Sequence, residues 1–217
     1  MSMLHTTSVK CSHCHREDSI ETFASINVKD DPELARKVKD GELFIWECPS
    51  CGNRNLVKYE TIYHDPDSRL MIWLQPSEVK RLTMDDAAVS RITRELDGYT
   101  LRLVPDVTSL MEKINIYSYG LEDTIMEVCK YVTKMELVEK NKGRQQEILS
   151  TTLRFYKMDG PDNELTFTFP LEGRMHAVNV GFNVYEDCRG ILRRNPEMKP
   201  DEGFAVVDSV WLSRFIR

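Results

Sequence analysis

The sequence predicts an α+β protein: a small cysteine-anchored ribbon with a helical insertion over residues 1–76, then a larger, mostly antiparallel α+β domain over residues 77–217. Three observations carry this. Two Cys-x-x-Cys pairs stand at Cys11–Cys14 and Cys48–Cys51. Short β-prone runs on either side of the second pair are bounded by Pro, Gly and Asp. Beyond Gln75 and Pro76 the pattern turns helical, and strands, hairpins and helices then interleave, which is the signature of α+β rather than of a parallel α/β sheet.

The cysteine pairs come first. Two cysteines separated by two residues place both sulfurs on one ion from a single tight turn, and two such turns supply the four ligands of a structural zinc. Cys11, Cys14, Cys48 and Cys51 are therefore the expected metal ligands, and the fold they define is a zinc ribbon. A redox pair normally occurs singly, at a helix start that lowers its pKa. Here there are two pairs, and the second leads into Gly52-Asn53. Iron is the competing metal, since a tetrahedral four-sulfur site accepts either. Four protein ligands close the coordination sphere, so the expected role is structural Zn2+ with no catalysis at the metal. Gly52 can take a positive φ and turn its backbone towards the sulfurs, while His13 and His15 are expected to be exposed.

The 33 residues between Cys14 and Cys48 exceed the usual spacing of about 15–20, so a folded insertion must fill them. Thr22 to Val28 reads as a strand. Asp31-Pro32-Glu33-Leu34 reads as a helix start, with Asp31 as N-cap, Pro32 at the first helical position and Gly41 as the stop. Leu34 and Val38, four apart, give it an apolar stripe. Leu43 to Trp46 then delivers the chain to Cys48. After the second pair, Asn55 to Tyr59 precedes a hairpin, Ile62 to His64 and Leu70 to Leu74, turning at Asp65-Pro66-Asp67. His64 with the two aspartates invites an acid–base reading, but these residue types are what a tight turn uses.

Ser25-Ile26-Asn27-Val28, Asp31-Pro32-Glu33-Leu34, Cys48-Pro49-Ser50-Cys51-Gly52 and Tyr63-His64-Asp65-Pro66 with Met71-Ile72-Trp73-Leu74 together resemble the CpXC family, which takes its name from Cys-Pro-x-Cys. The resemblance extends through Leu101-Arg102-Leu103-Val104 and Glu112-Lys113-Ile114 to Gly120-Leu121-Glu122-Asp123. The first pair carries Ser12 where the family can carry proline, a departure that leaves the ligands intact. The resemblance implies zinc binding by the four cysteines and implies no activity.

In the second part, Asp85 and Asp86 lead a helix with Val89, Ile92 and Leu96 on one face, closed by Gly98. A strand over Tyr99 to Val104 follows, then a short helix from Pro105-Asp106 to Ile114. The best-defined helix runs from Leu121 to about Lys140, with Leu121, Ile125, Val128, Val132 and Met135 as its stripe, expected to pack on the protein's own sheet. Cys129 lies on that face as a small buried hydrophobe. Lys142 to Gln146 reads as a connector. Leu153–Phe155 and Leu165–Phe169 flank the turn cluster Asp159 to Asn163 and make a hairpin. Met175 to Val180 adds a strand, Asn183 caps a helix bearing Val184, Cys188, Ile191 and Leu192, and Phe204 to Val207 is a last strand before a helix capped by Asp208.

Charge and motifs bound the function. The net charge is −6, shared as −3 by residues 1–76 and −3 by the remainder, and no Lys/Arg cluster suited to polyphosphate is visible. The N-terminus lacks a secretory signal, and no run approaches the ~20 apolar residues of a membrane span, so a soluble cytoplasmic protein is expected. Thiols stay reduced there, which favours metal ligation. Phosphate-loop, nucleophile-elbow and His-Glu-x-x-His motifs are missing, and no catalytic residue is assigned. The leading expectation is a zinc protein that binds a protein or small-molecule ligand. The alternatives are an enzyme whose site assembles in the second domain, from residues such as His176, Cys188 or Glu122, and nucleic-acid binding through the ribbon.

Overall fold

In the computed structural model, residues 3–76 and 95–216 are described, and the protein is a mixed α and β structure. The helix expected to start at Asp85 falls outside the described residues except at its very end. The chain divides into two compact units, Met1–Met111 with Asp201–Val206 and Glu112–Pro200 with Val207–Arg217.

The first unit is built on a five-stranded sheet. β1 (Met3–Lys10) and β2 (Glu17–Asn27) form an antiparallel hairpin, and β2 pairs in parallel with β5 (Thr61–Asp65). β5 turns back antiparallel into β6 (Leu70–Leu74), and β6 lies parallel to β7 (Thr100–Val104), giving the order β1-β2-β5-β6-β7. β6 is a continuous apolar run with all five residues buried, as a strand covered on both faces requires. A parallel pairing needs a crossover. The β2-to-β5 crossover contains α1 (Pro32–Lys39), a 3-10 turn (Glu42–Phe44) and the two-stranded ribbon β3 (Ile45–Glu47) and β4 (Arg54–Leu56).

α1 starts and stops where the sequence places it. Asp31 accepts the Ala35 amide through its backbone carbonyl at 3.1 Å, with no side-chain cap, and Pro32 opens the helix. Ala35 and Val38 are the residues it buries. Gly41, at φ 75°, ends it where an added Cβ would press 3.1 Å from Met111 Sδ. The Asp65-Pro66-Asp67 segment is a turn: the Asp65 carboxylate accepts the Asp67 and Ser68 amides, each at 3.2 Å, and the Ser68 hydroxyl at 2.8 Å.

β1 was not anticipated. Its burial pattern is almost wholly exposed, so no apolar alternation marks it, and it is held as an edge strand by its ladder to β2. The strand expected over Phe204 to Val207 is instead a single parallel bridge, Arg102 to Ala205, with the Leu103 amide donating to the Ala205 carbonyl at 3.0 Å. It lies along the outer edge of β7.

In the second unit, β8 (Arg154–Asp159), β9 (Glu164–Leu171) and β10 (Arg174–Val180) form an antiparallel sheet in the order β10-β9-β8. The boundary between the units falls within α2 (Val107–Ser118), which runs four residues past the expected end. α3 (Asp123–Lys140) is the long helix; it packs against the helix α5 (Phe182–Arg194) and also contacts β8 of the sheet. Met126, Glu127 and Cys129 are buried as well as Ile125 and Val128, so the first half of α3 is enclosed beyond the predicted stripe. The expected connector at Lys142 to Gln146 already enters α4 at Gln145 (Gln145–Ser150). α5 starts two residues earlier than expected: Gly181 is its N-cap, its carbonyl accepting the Val184 amide at 3.0 Å, and Asn183 lies inside the helix. α6 (Ser209–Ser213) is capped as expected by Asp208, whose carboxylate accepts the Trp211 amide at 2.8 Å.

Candidate metal centre

Each Cys-x-x-Cys pair is the turn of a hairpin. Lys10 and Glu17 close the ladder below the first, and Glu47 and Arg54 close it below the second. The two turns have the same build. Cys11 N–H donates to the Arg16 carbonyl at 2.8 Å and Cys48 N–H to Asn53 at 2.9 Å. The His15 amide returns to the Cys11 carbonyl at 3.0 Å, as the Gly52 amide does to Cys48 at 2.8 Å. A positive φ at the fifth residue turns the chain back so that the sixth can accept from the first cysteine's amide, and Gly52 has φ 69° as the sequence predicts. His15 has φ 59° without being glycine.

The four sulfurs converge. All lie within 4.8 Å of one another, with Cys11 Sγ 3.6 Å from Cys51 Sγ and Cys14 Sγ 3.6 Å from Cys48 Sγ. Ligands about 2.3 Å from a tetrahedral metal stand about 3.8 Å apart, so the donor set fits a four-thiolate ion in number, chemistry and spacing. Cys11 and Cys48 are buried while Cys14 and Cys51 reach the surface. The Cys14 backbone amide holds the Cys11 thiol down to about 6. Cys51 is drawn down by the Asn53 amide, but burial and the three neighbouring sulfurs outweigh it and push the thiol up to about 12. Four sulfurs this close cannot all ionise without a cation among them, and a divalent ion removes that conflict. His13 and His15 are exposed.

Residues the sequence did not single out tie the two turns together. Asn55, on β4, accepts the Ser12 amide and the Ser12 hydroxyl, each at 2.8 Å. Arg16 Nη1 donates to Ser50 Oγ at 2.6 Å. Single polar residues of these types carry no spacing signal, so nothing in the sequence marks them.

The other groups considered for chemistry are placed elsewhere. His64 has its ring against Tyr99, and burial keeps its pKa below the usual imidazole value. His176 stacks on Phe169, with centroids 5.9 Å apart. Cys188 is buried against Cys129, and that contact with burial holds the Cys129 thiol far above its ordinary range, so it behaves as a hydrophobe. Glu122 precedes α3 as its N-cap, its amide donating to the Tyr185 hydroxyl at 2.8 Å.

A second concentration of charge lies within the second unit. Lys113 Nζ contacts Asp123 at 2.8 Å and the Val207 carbonyl at 2.6 Å; Lys130 contacts Glu127 at 2.6 Å and Glu112 at 3.0 Å; Arg154 reaches Glu112 at 3.0 Å. Glu112 also accepts the Phe155 amide at 2.9 Å, and Tyr117 donates to Asp123 at 2.7 Å. Burial opposes ionisation of Glu112, yet Lys130, the Phe155 amide and Arg154 together hold it below the usual carboxylate range. Glu127 is pushed above that range by burial despite Lys130 and Lys113. Each carboxylate faces a cation, the arrangement by which buried charges are retained.

Among the described residues no helix is long and apolar enough to cross a membrane. A family model described as CpXC protein matches residues 9–130, more than half of the chain. No curated protein and no solved structure matches.

Proposed function

The chain belongs to the CpXC family, and from that membership and the convergence of Cys11, Cys14, Cys48 and Cys51 on one point we propose that it is a zinc protein whose metal is structural and whose role is to bind a protein or small-molecule ligand. The carrying observation is the spacing of the four sulfurs. When bound, the ion supplies charge neutralisation and a crosslink between two hairpin turns; with four protein thiolates it keeps no position for water or substrate. The chain's own contribution is the pair of matched turns, which present the sulfurs from short, ladder-closed loops. A reducing cytoplasm, where thiols stay available for metal, suits this chemistry.

The binding half of the reading is supported by the surface beside the centre. Ile45 and Leu56 are cross-strand partners on the β3–β4 ribbon and remain 37% and 55% exposed. Directly opposed residues share one face, so the ribbon offers a partner an apolar contact next to a rigid crosslink. The net charge of −6 argues against a polyphosphate partner.

The test is metal analysis of the purified chain with cobalt substitution. Zinc at one ion per chain, a tetrahedral thiolate cobalt spectrum, loss of that spectrum on Cys→Ser change at any of the four positions, and its survival in His13→Ala are expected. Iron in the purified chain overturns the metal assignment. Turnover in a hydrolase screen that depends on a substitutable cleft residue overturns the binding role.

A further inference from the structure

We infer that Asn55 sets the affinity and electronic character of the four-sulfur centre by donating a hydrogen bond to Cys11. This rests on the reading of the cysteines as metal ligands. β4 is three residues long, with Arg54 and Leu56 exposed and Asn55 turned inward at 8% exposure. Its side-chain Nδ2 lies 3.8 Å from Cys11 Sγ and 2.9 Å from the Asn53 carbonyl. Its Oδ1 accepts from Ser12 N, from Ser12 Oγ and, at 3.2 Å, from Asn53 Nδ2.

The orientation of the carboxamide follows from these partners. Ser12 N–H can only donate, so the atom facing it must be the oxygen, and the NH2 group must face Cys11. Both amide hydrogens are then used, one on a backbone carbonyl and one on sulfur. Cys11 is fully buried, so its thiolate depends on protein donors for stabilisation. A hydrogen bond to a ligating sulfur withdraws electron density from it, which sets its donor strength towards the metal and the charge-transfer energy of a substituted cobalt ion, and fixes the ligand's position. Asn55 also holds Ser12, inside the first turn, from the strand that follows the second. It is a positioning residue for the metal, acting through Cys11 and through the register of the two turns.

Asn55→Asp keeps the acceptor contacts and replaces the donor to sulfur with a carboxylate oxygen. That oxygen's charge acts in the same direction as loss of the bond, so the cadmium-113 correlation of the wild-type chain is the measurement that isolates the donor. The expected result is zinc affinity lowered about ten- to hundred-fold in chelator competition, with the sulfur-to-cobalt charge-transfer band moved to lower energy. Ser12→Ala, which removes a hydroxyl from the same amide but leaves its contact with sulfur, should leave the band in place. Wild-type affinity and an unmoved band in Asn55→Asp overturn the inference. Whether or not that variant folds, the wild-type chain loaded with cadmium-113 decides: a scalar correlation between the Asn55 side-chain amide protons and the metal supports the bond, and its absence in a resolved spectrum overturns it. A wild-type chain that takes up no cobalt, zinc or cadmium overturns the centre itself and this inference with it, whereas normal wild-type loading with an indifferent Asn55 overturns the inference alone.

Discussion

His15 and Gly52 occupy the same place in two turns of the same build, and only one of them is the residue that place favours. At φ 69° Gly52 carries no Cβ penalty, and a Cβ added there would meet nothing within 4 Å, so the whole cost of a side chain is backbone conformation. Gly52→Ala should therefore destabilise the metal-bound protein by about 1–2 kcal/mol, read as a shift in urea midpoint without change of slope. An unshifted midpoint would mean that the turn relaxes out of the left-handed region. His15, at φ 59°, already bears this strain, and the ladder below it holds the turn against it. The sequence announces Gly52 through its residue type, but it gives no sign that His15 shares the conformation. That knowledge requires seeing the Cys11 carbonyl take the same return bond as Cys48.

At the scale of elements, the two hairpins that carry the sulfurs differ: β1–β2 pairs all of Met3–Lys10, whereas the ribbon β3–β4 pairs only three residues a side. A two-stranded hairpin of this size is marginal by itself in water. Removal of the metal by a chelator should accordingly open the amides of Cys11, His15, Cys48 and Gly52 to hydrogen exchange, and those of β3 and β4 with them. The β5–β6 ladder, built on the fully buried β6, should keep its protection. Equal loss in both ladders would show that the metal holds the entire sheet. The elements that the sequence predicts well are those with strong local signals: α1 with Pro32 and Gly41, the Asp65 turn, the Asp208 cap. Those it misplaces have none. β1 has no apolar alternation and is almost wholly exposed, and α5 is capped by Gly181, with Asn183 inside it.

At the scale of the whole molecule, each unit has its own source of cohesion. The first combines a buried sheet strand with the four-sulfur centre; the second combines an apolar core with the Glu112–Lys130–Arg154 and Lys113–Asp123–Glu127 charges. Glu112 joins α2 to α3 through Lys130 and to β8 through Arg154 and the Phe155 amide. Its pKa is lowered on folding, so its stabilisation is present above the unfolded value near 4.5 and is lost as pH falls through the lower folded one. Glu127, raised on folding, has the opposite sign: its contribution improves as acid protonates it. Glu112→Gln should cost about 3–5 kcal/mol at neutral pH by leaving buried cations short of a partner. It should also flatten the acid-side loss of stability below pH 4.5. Urea unfolding across a pH series checks both, and a variant with the wild-type acid limb would remove Glu112 as its origin.

The sequence by itself determined the four cysteines, their pairing into two turns, the folded insertion between them and the α and β elements with strong end signals. These are local facts: a two-residue spacing, a proline at a helix start and a glycine after a cysteine act within a few residues of themselves. Only the tertiary structure decided that the two turns meet with their sulfurs within 4.8 Å, that β7 joins the first sheet in parallel with β6, that Asn55 spans both turns, and that six charged residues of the second unit neutralise one another. Each of these joins positions tens of residues apart, and a lone asparagine or lysine has no periodicity that could reveal its partner. What selects them is the need of buried polar groups for partners, a condition that exists only once the chain has folded.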